Sequence, residues 1–297
     1  MVQEIIESKY LERFSLGTAS FGNKYGICND QDYVDQEKAT QIVKYFIING
    51  GYQFDTSCGY GDSEDILSRA IGGMYDGNME ITSKFVVTDS HNLDLIIYQI
   101  DQSFNLFGDS LNTILCHTPD LLKRNLEDIT IEAFKYIKES YRIRTGISIY
   151  NIEEIINISN NLKSRIDCIQ APCNIFDDTA QRVKKSSFIG NHTNVIARSI
   201  YLQGFLISEV CLLRKYITQY ARFVKISEDL NMGKVETCLR YIMSIKELDG
   251  YIVGINKLSH LKELVNLIKY IELNNKQFVL SMVKDNNDPS FIDPRRW

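Results

Sequence analysis

Four polar residues that could share one proton-transfer reaction lie at or just past the ends of short apolar runs. They are Asp55, Tyr60, Lys84 and His117. The runs before Asp55, Lys84 and His117 are typical of buried β-strands, and amphipathic helical stretches separate them. Because polar groups at one end of successive parallel strands converge, we expect these four side chains to form a single site.

The residue types suit acid catalysis. A phenol has an ordinary pKa of about 10, so Tyr60 is a poor acid or base at neutral pH unless a nearby cation favours its phenolate. Lys84 is the candidate cation, and Asp55 is the carboxylate that would hold the ammonium group charged and in place. His117 would then orient a carbonyl oxygen or share its proton.

These four residues also carry a resemblance to a known family. The chain resembles the aldo-keto reductases, whose tetrad is Asp, Tyr, Lys and His in this order. The segment FDTSCGYGDSE, from Phe54 to Glu64, is close to the family signature DTA-x-x-YG-x-SE, and LGTASFG, from Leu16 to Gly22, is similar to its first strand. The similarity extends from about Leu16 to about Ile268 and so covers nearly the whole chain.

The spacing of apolar runs predicts the fold. A chain of 297 residues suits one large barrel or two ordinary domains, and the periodicity favours the barrel. Strand-like runs recur at intervals of about thirty residues, the length of a strand, a helix and two loops. They lie near 13–18, 52–55, 80–86, 111–117, 142–147, 166–171, 193–198 and 250–254. We therefore predict an α/β protein that forms a TIM (β/α)8 barrel.

An open doubly wound sheet is the alternative, but the glycines after the first run lack the G-x-G-x-x-G spacing of a dinucleotide-binding turn. Helical patterns occupy the gaps between the strands. They cover 36–49, 63–71, 93–107, 130–139, 152–162, 181–189, 212–220, 224–230, 235–245 and 258–270, with capping signals at Asp35, Ser63 and Asn151.

No Ser/Gly-rich linker interrupts the chain, so we expect one domain over 1–297, with a C-terminal tail, 275–297, that is either loose or covers a barrel mouth. The net charge of −5 and the pI near 5.5 argue against a nucleic-acid partner. Seven cysteines without a C-x-x-C pair fit a reducing compartment, and the start of the chain lacks the pattern of a signal peptide. With no membrane-length apolar run, we expect a cytoplasmic protein and no membrane partner.

The resemblance implies a nicotinamide cofactor, NADPH or NADP, with NADH as the alternative. Ser148 and Gln170 would reach the nicotinamide amide, and Arg198 stands where many relatives place an aromatic residue that stacks on the ring. The remaining positions that the resemblance assigns to the cofactor are Gly17, Thr18, Asp55, Ser199, Gly204, Gly254, Lys257 and His260.

The expected reaction is reduction of an aldehyde or ketone by direct hydride transfer, with Tyr60 as the general acid. Phe21, Tyr25, Tyr60, His117 and Tyr201 would line the pocket for a small-molecule carbonyl substrate. Two alternatives remain open: a cofactor-binding regulatory or accessory barrel, and an enzyme of carbohydrate metabolism that transiently oxidises a nucleotide-linked or phosphorylated sugar. We expect no metal site, because no His, Cys, Asp and Glu cluster has zinc spacing.

Overall fold

Eight parallel strands close into a barrel in the order of the sequence, with β1 hydrogen-bonded to β8. The computed structural model of the protein describes residues 9–27, 33–72, 74, 77–88, 90, 92–117, 124–211, 213–273 and 289–297. The strands are β1 (Phe14–Gly17), β2 (Gln53–Asp55), β3 (Glu80–Phe85), β4 (Leu111–Cys116), β5 (Arg144–Ser148), β6 (Cys168–Pro172), β7 (Asn194–Arg198) and β8 (Gly250–Gly254). The predicted TIM barrel is confirmed.

Helices connect the strands on the outside of the barrel. Those in the described residues are α1 (Gln36–Ile48), α2 (Ser63–Ile71), α3 (Leu93–Phe107), α4 (Arg124–Ser140), α5 (Glu153–Ile156), α6 (Asn160–Lys163), α7 (Thr179–Lys184), α8 (Ile217–Asp229), α9 (Lys234–Ser244), α10 (Leu258–Leu273) and α11 (Pro289–Ile292). The helix predicted over 152–162 is wrong as a single element. α5 ends at Ile156, and Ser159 starts α6 as its cap, because its side chain accepts a hydrogen bond from the N–H group of Leu162 at 3.2 Å.

Of two other predicted helix starts, one has a capping side-chain hydrogen bond and one does not. Asp35 caps α1 as predicted, accepting from the N–H group of Lys38 at 2.9 Å. Ser63 does not cap α2, since Asp62 occupies the cap position. The Ser63 hydroxyl instead donates to the carbonyl oxygen of Thr18 at 2.9 Å, which fixes the loop after β1 against the start of α2.

The main hydrophobic core lies between the strands and the surrounding helices. Phe46 of α1 packs edge-on against Phe54 of β2, with 5.5 Å between the ring centroids. Phe85 of β3 meets Phe134 of α4 in the same way at 6.2 Å. These outward-facing strand residues build an apolar core between the strands and the helices. The inward-facing strand residues are not part of that core and can therefore be polar.

Arg13 joins the first and last strands of the barrel. Its guanidinium group donates to the carbonyl oxygens of Ile245 and Leu248, and it lies 4.7 Å from the centre of the Tyr251 ring. The N–H group of Tyr251 donates to the carbonyl oxygen of Arg13 at 2.7 Å. These contacts form a seam, here called the Arg13 seam, at the junction where the first and last strands of the barrel pair.

The last nine residues, 289–297, pack on the loops that follow β6 and β7. The Phe291 ring lies 5.2 Å from that of Phe176, 5.5 Å from that of Phe205 and 5.0 Å from that of Tyr216. Trp297 completes the cluster, 6.0 Å from Phe205 and 6.4 Å from Tyr216 between ring centroids. The rest of the predicted tail, 275–288, lies outside the described residues.

Candidate active site

Asp55, Tyr60, Lys84 and His117 lie together at the C-terminal end of the barrel strands. Asp55 ends β2, Lys84 lies near the end of β3, and His117 directly follows β4. Tyr60 is in the loop between β2 and α2. The closed order of the sheet makes β2, β3 and β4 neighbours, which is why residues separated by about thirty positions converge here.

A buried ion pair lies at the centre of this group. Lys84 Nζ is 2.6 Å from Asp55 Oδ1 and also donates to the carbonyl oxygen of Thr56 at 2.7 Å. Gln170 Nε2 donates to the other carboxylate oxygen, Asp55 Oδ2, at 2.5 Å. Asp55, Lys84 and Gln170 are all buried, and a buried charge needs such partners. The Asp55 carboxylate therefore holds the ammonium group in one position.

Tyr60 lies between this ion pair and a small aromatic cluster. Lys84 Nζ is 4.9 Å from the centre of the Tyr60 ring. His117 meets the same ring edge-on, with 5.4 Å between centroids, and the Tyr25 ring lies 6.4 Å away. Tyr60 and His117 are half-buried and Tyr25 is exposed. The phenol thus has the cation on one side and an open, partly aromatic surface on the other.

Burial decides the protonation states of the two aromatic groups. Burial raises the pKa of Tyr60 above its ordinary value, the charge of Asp55 raises it further, and Arg198 opposes the shift. The phenol therefore keeps its proton at neutral pH. Burial lowers the pKa of His117 to about 3, with the positive charges of Lys84 and Arg198 adding to the effect. The imidazole is neutral, so Tyr60 is the member of the pair with an acidic proton to give.

Ser57 controls the His117 tautomer. Its hydroxyl lies 3.1 Å from the carbonyl oxygen of Lys84 and 3.3 Å from His117 Nδ1, and it has one hydrogen to donate. When that hydrogen goes to Nδ1, the proton of the neutral ring is on Nε2 and can be donated to a ligand. When it goes to the Lys84 carbonyl, Nδ1 carries the proton instead.

Three buried side-chain atoms of residues assigned to the cofactor have no hydrogen-bond partner among the described residues: Ser148 Oγ, Gln170 Oε1 and Arg198 Nε. Ser148 and Gln170 are direct neighbours in the register of β5 and β6. A hydroxyl can donate and an amide oxygen can accept, which is the complement of a carboxamide group with its carbonyl oxygen and its NH2 group. The pair therefore fits a nicotinamide amide.

Arg198 lies against Tyr150. Its guanidinium carbon is 4.2 Å from the centre of the Tyr150 ring, and its terminal nitrogens donate to the carbonyl oxygen of Ile149 at 2.7 Å and to the hydroxyl of Ser199 at 3.0 Å. Arg295, from the C-terminal segment, lies 3.7 Å from the centre of the same Tyr150 ring. The side chain expected to face a cofactor ring thus already has an aromatic partner.

The other residues assigned to the cofactor lie at the ends of β1, β7 and β8. Thr18 is fully buried, and its hydroxyl donates to the carbonyl oxygen of Asp55 at 3.0 Å. This bond helps to fix the backbone at Asp55. A side chain at Gly17 would come within 3.0 Å of Ile252, which explains a glycine at that close strand contact. Ser199 and Gly204 both have positive φ, 58° and 92°, in the turn after β7.

Gly254, Lys257 and His260 lie at the mouth between β8 and α10. All three are exposed, and a side chain at Gly254 would have open space around it. His260 Nδ1 is 3.0 Å from Asn256 Oδ1, and burial together with the charge of Lys257 lowers the pKa of His260. Lys257 therefore supplies the positive charge at this position at neutral pH.

Two residues expected in the substrate pocket lie elsewhere. Phe21 is completely buried in the hydrophobic core. Tyr201 is half-buried, and burial is the main cause that raises its pKa; Cys238 of α9 and Glu263 of α10 lie near enough to contribute. Of the five predicted pocket residues, the structure brings Tyr25, Tyr60 and His117 together. In the described residues, no group of three or more His, Cys, Asp or Glu side chains could hold a metal ion.

Two contributors, Ser57 and Glu64, were not identified as site residues from the sequence. Ser57 lies inside the signature segment, but its bond to His117 spans 60 positions. Gln170 was predicted as a cofactor residue, but its bond to Asp55, which spans 115 positions, was not. Glu64 acts from α2. Its Oε1 accepts hydrogen bonds from Ser83 at 2.5 Å and Ser103 at 2.7 Å and so ties α2 to β3 and α3 beside Lys84. Such long-range pairs have no local pattern.

The fold and site define a barrel protein of a recognised family. A profile described as the aldo/keto reductase family matches residues 13–280. The chain therefore belongs to the aldo/keto reductase family, and this membership implies an oxidoreductase that acts on small-molecule carbonyl compounds. No curated protein matches the chain. No helix of the described residues is long and apolar enough to cross a membrane.

Two solved structures, both assigned as aldo-keto reductases from Pseudomonas aeruginosa, have a similar fold. The first aligns with a TM-score of 0.64 at 18% identity, over 88% of this chain and 92% of its own. The second aligns with a TM-score of 0.61 at 17% identity, over 87% and 89%. At this level of identity the likeness concerns the barrel alone.

Proposed function

We propose that the protein reduces an aldehyde or ketone to an alcohol at the expense of NADPH, or of NADH, with Tyr60 as the general acid. The observation that supports this proposal is the position of the half-buried Tyr60 ring, 4.9 Å from the Nζ atom of the fixed Lys84 ammonium group and edge-on to the His117 ring. Because the pKa of Tyr60 is raised and that of His117 is lowered, the phenol is the one of these two aromatic groups that keeps a proton at neutral pH for an oxygen that gains negative charge.

The bound nicotinamide would supply the hydride. The chain's own residues would bind and polarise the carbonyl group. The Tyr60 hydroxyl would donate its proton to the carbonyl oxygen as negative charge develops there. Lys84, held by Asp55, would stabilise the phenolate that is left, because a cation close to a phenolate lowers its energy in a partly water-excluded site.

His117 would orient the carbonyl group as an uncharged donor. This role requires the tautomer with a proton on Nε2, which the Ser57 hydroxyl supports when it donates to Nδ1. Because the pKa of His117 is lowered to about 3, the imidazole would not compete with Tyr60 as an acid anywhere in the physiological range.

For the cofactor, Ser148 and Gln170 would hold the carboxamide group. The support for this assignment is that both carry a buried atom without a partner, of the two opposite hydrogen-bonding types that an amide needs. Arg198 would face the ring, and Lys257 would contact phosphate near the start of α10. A cation there favours NADPH over NADH, since the 2′-phosphate adds negative charge.

The test is Tyr60→Phe. We expect steady-state reduction of an activated aromatic aldehyde to fall by about 10²–10⁴-fold, because one positioned general acid contributes about that factor. Cofactor affinity, measured by fluorescence titration, stays within a factor of about two, since the lost hydroxyl does not contact the carboxamide site. Tyr25→Phe, which alters a neighbouring phenol of the same surface, is the matched control.

Full activity in the Tyr60 variant would contradict the role of the phenol. Tight binding of NADPH by the unaltered protein without oxidation of the cofactor by a panel of carbonyl compounds would instead favour a regulatory barrel. Oxidation of the cofactor only with sugar-linked carbonyl compounds would assign the protein to carbohydrate chemistry.

A further inference from the structure

A polar cavity runs inside the barrel below the tetrad. It has a volume of about 80 Å³, and ten of the twelve residues that line it are polar. Its lining includes Ser15, Gln53, Thr82 and Asn194 toward the N-terminal ends of the strands, and Asp55 and Gln170 at its inner end. We call this cavity the bore.

The polarity of the bore differs from that of an ordinary barrel interior. In most TIM barrels, layers of large branched apolar side chains fill this space. Here β3 turns Glu80, Thr82 and then Lys84 inward, because alternate residues of a strand share a face. Glu80 and Thr82 line the bore, and Lys84 belongs to the tetrad. The bore therefore leads along one strand toward the ion pair.

Its size and polarity suit water. Apolar cavities of proteins stay dry, whereas polar ones hold waters that pair with the lining groups, and each water needs roughly 10–15 Å³ of such volume. The bore has room for several. From Glu80 to Lys84 is four residues, or about 13 Å along the strand, a distance that a chain of a few hydrogen-bonded waters spans.

The exposure of the lining changes from one end to the other. Ser15, Gln53 and Thr82 are half-buried although they lie within strands of a closed barrel, and Asp249 at the outer end is exposed. At the inner end Asp55 is 4% exposed and Gln170 is 2% exposed. The outer part is accordingly open to solvent, and the inner part ends at the carboxylate that holds Lys84.

A charged rim marks the outer end. Arg144 lies 3.7 Å from Glu80, and both side chains are about two-fifths exposed, 41% and 43%. Asp249 binds Lys184 at 2.6 Å and also accepts from the N–H group of Val195 at 2.7 Å. Ionised groups at such a mouth attract water and exchange protons with it.

We propose that the bore is a proton path from the N-terminal face of the barrel to the tetrad. The inference rests on the proposed function, in which each reduction removes one proton from Tyr60. The substrate and the cofactor would cover the opposite, C-terminal side of Tyr60 during turnover. The bore reaches the same ion pair from the other face of the molecule.

The path conserves protons and charge. A proton from bulk water enters at the rim, moves through the waters of the bore and protonates a free lone pair of the Asp55 carboxylate. Lys84 gives a proton to the Tyr60 phenolate and takes one back from Asp55. The net change is one proton taken from solvent at the N-terminal face and one phenol restored, with no oxidant or reductant involved.

The test removes polar groups from the bore without touching the tetrad. In Gln53→Leu/Thr82→Val, two lining side chains become apolar at similar volume. Stopped-flow measurements follow the cofactor absorbance and a pH-indicator dye in weakly buffered solution during one turnover with an activated aromatic aldehyde. We expect hydride transfer within a factor of about two of the unaltered protein, and proton uptake slowed about tenfold or more.

The matched control is Thr130→Val, a buried threonine of α4 outside the barrel whose hydroxyl bonds to the carbonyl oxygen of Leu126 at 2.7 Å. It should leave both signals unchanged. Proton uptake at the normal rate in the bore variant would overturn the proposal. A parallel loss of hydride transfer and proton uptake would also overturn it, because the two residues would then be positioning the tetrad.

The failure of the proposed function has a different signature. If the unaltered protein oxidises no cofactor with any carbonyl compound, the reduction itself is refuted. The bore is also tested without activity, by a high-resolution crystal structure of the unaltered protein. Ordered waters at hydrogen-bonding distances from the rim to Asp55 support the path, and a dry bore overturns it even if the double variant does not fold.

Discussion

Ser148 Oγ is buried without a partner among the described residues, and so is Gln170 Oε1. A buried polar group that makes no hydrogen bond costs roughly 1–3 kcal/mol of stability. Binding sites often contain such groups, because a group already paired inside the protein is not available to a ligand. The position of both atoms on neighbouring strands makes them a matched donor and acceptor.

Because of this cost, Ser148→Ala should raise the stability of the cofactor-free protein and lower its affinity for the cofactor. Without cofactor the variant should be about 1 kcal/mol more stable in urea unfolding, because an unpaired hydroxyl is removed. Its affinity for NADPH should fall about tenfold in calorimetric titration, the value of roughly one hydrogen bond.

Ser227→Ala is the control, since the Ser227 hydroxyl is buried but already donates to the carbonyl oxygen of Phe223 at 3.2 Å. That variant should gain no stability and should bind NADPH normally. A Ser148 variant that is less stable and binds the cofactor as well as the unaltered protein would exclude the carboxamide role.

The lowered pKa of His117 predicts that the stability of the fold depends on pH. Its pKa is ordinarily 6.5 and is lowered to about 3 in the fold, so between these values the unfolded chain binds a proton that the folded protein does not. Folding stability attributable to His117 is therefore complete above pH 6.5 and decreases as the pH falls toward 3. The loss is up to about 1.4 kcal/mol per pH unit.

The measurement compares urea unfolding at pH 7.5 and pH 5 for the unaltered protein and for His117→Gln. Between pH 7.5 and pH 5 the free energy of unfolding of the variant should decrease by up to about 2 kcal/mol less than that of the unaltered protein. Glu154 and Asp177, whose pKa values burial raises to about 7 and about 6, also titrate there. Their contributions cancel in the difference, and equal losses in both proteins would rule out a neutral His117.

At the scale of elements, the positions of the strands could be predicted from the sequence, because each strand is a short apolar run bounded by polar residues. All eight predicted strands occur within a few residues of their expected positions. Helix continuity was harder to predict. The pattern of 152–162 is helical throughout, yet the single Ser159 side chain divides it, since a local cap competes with the helix.

Contacts between elements far apart in sequence were the part that could not be predicted. Arg198 was recognisable as a replacement for an aromatic residue, but its bond to the carbonyl oxygen of Ile149 spans 49 positions. Arg295 beside Tyr150 is a contact of the same kind. Neither contact leaves a periodic pattern in the sequence, because each joins segments that come together only when the barrel closes and the C-terminal segment packs on it.

The C-terminal segment yields a prediction about stability. Phe291 is 3% exposed and contacts three aromatic rings, so Phe291→Ala should lower the free energy of unfolding by about 3 kcal/mol through the cavity it leaves. Phe188→Ala is the matched control, because that ring is 40% exposed. It should change stability by less than about 0.5 kcal/mol. Equal effects in urea unfolding would show that the segment does not contribute to the fold.

For the whole molecule, the interior of the barrel is polar, where most TIM barrels are filled by apolar side chains. The core between strands and helices is apolar and fully buried, whereas the interior of the barrel contains an ion pair, amides and hydroxyls. Its stability must come mainly from the outer layer, because a polar interior contributes little transfer free energy. That arrangement leaves the centre of the barrel available to the proposed proton path.

The Arg13 seam adds a consequence for the time at which activity appears during folding. Asp55, Tyr60, Lys84 and His117 are all supplied by the first half of the chain, whereas β1 and β8 pair residues such as Phe14 and Tyr251 that are more than two hundred positions apart. Closing so long a loop is slow compared with local pairing. Under the proposed function, a nascent chain on a ribosome would therefore carry the whole tetrad long before it could bind a cofactor, and would be inactive until its last strand emerged.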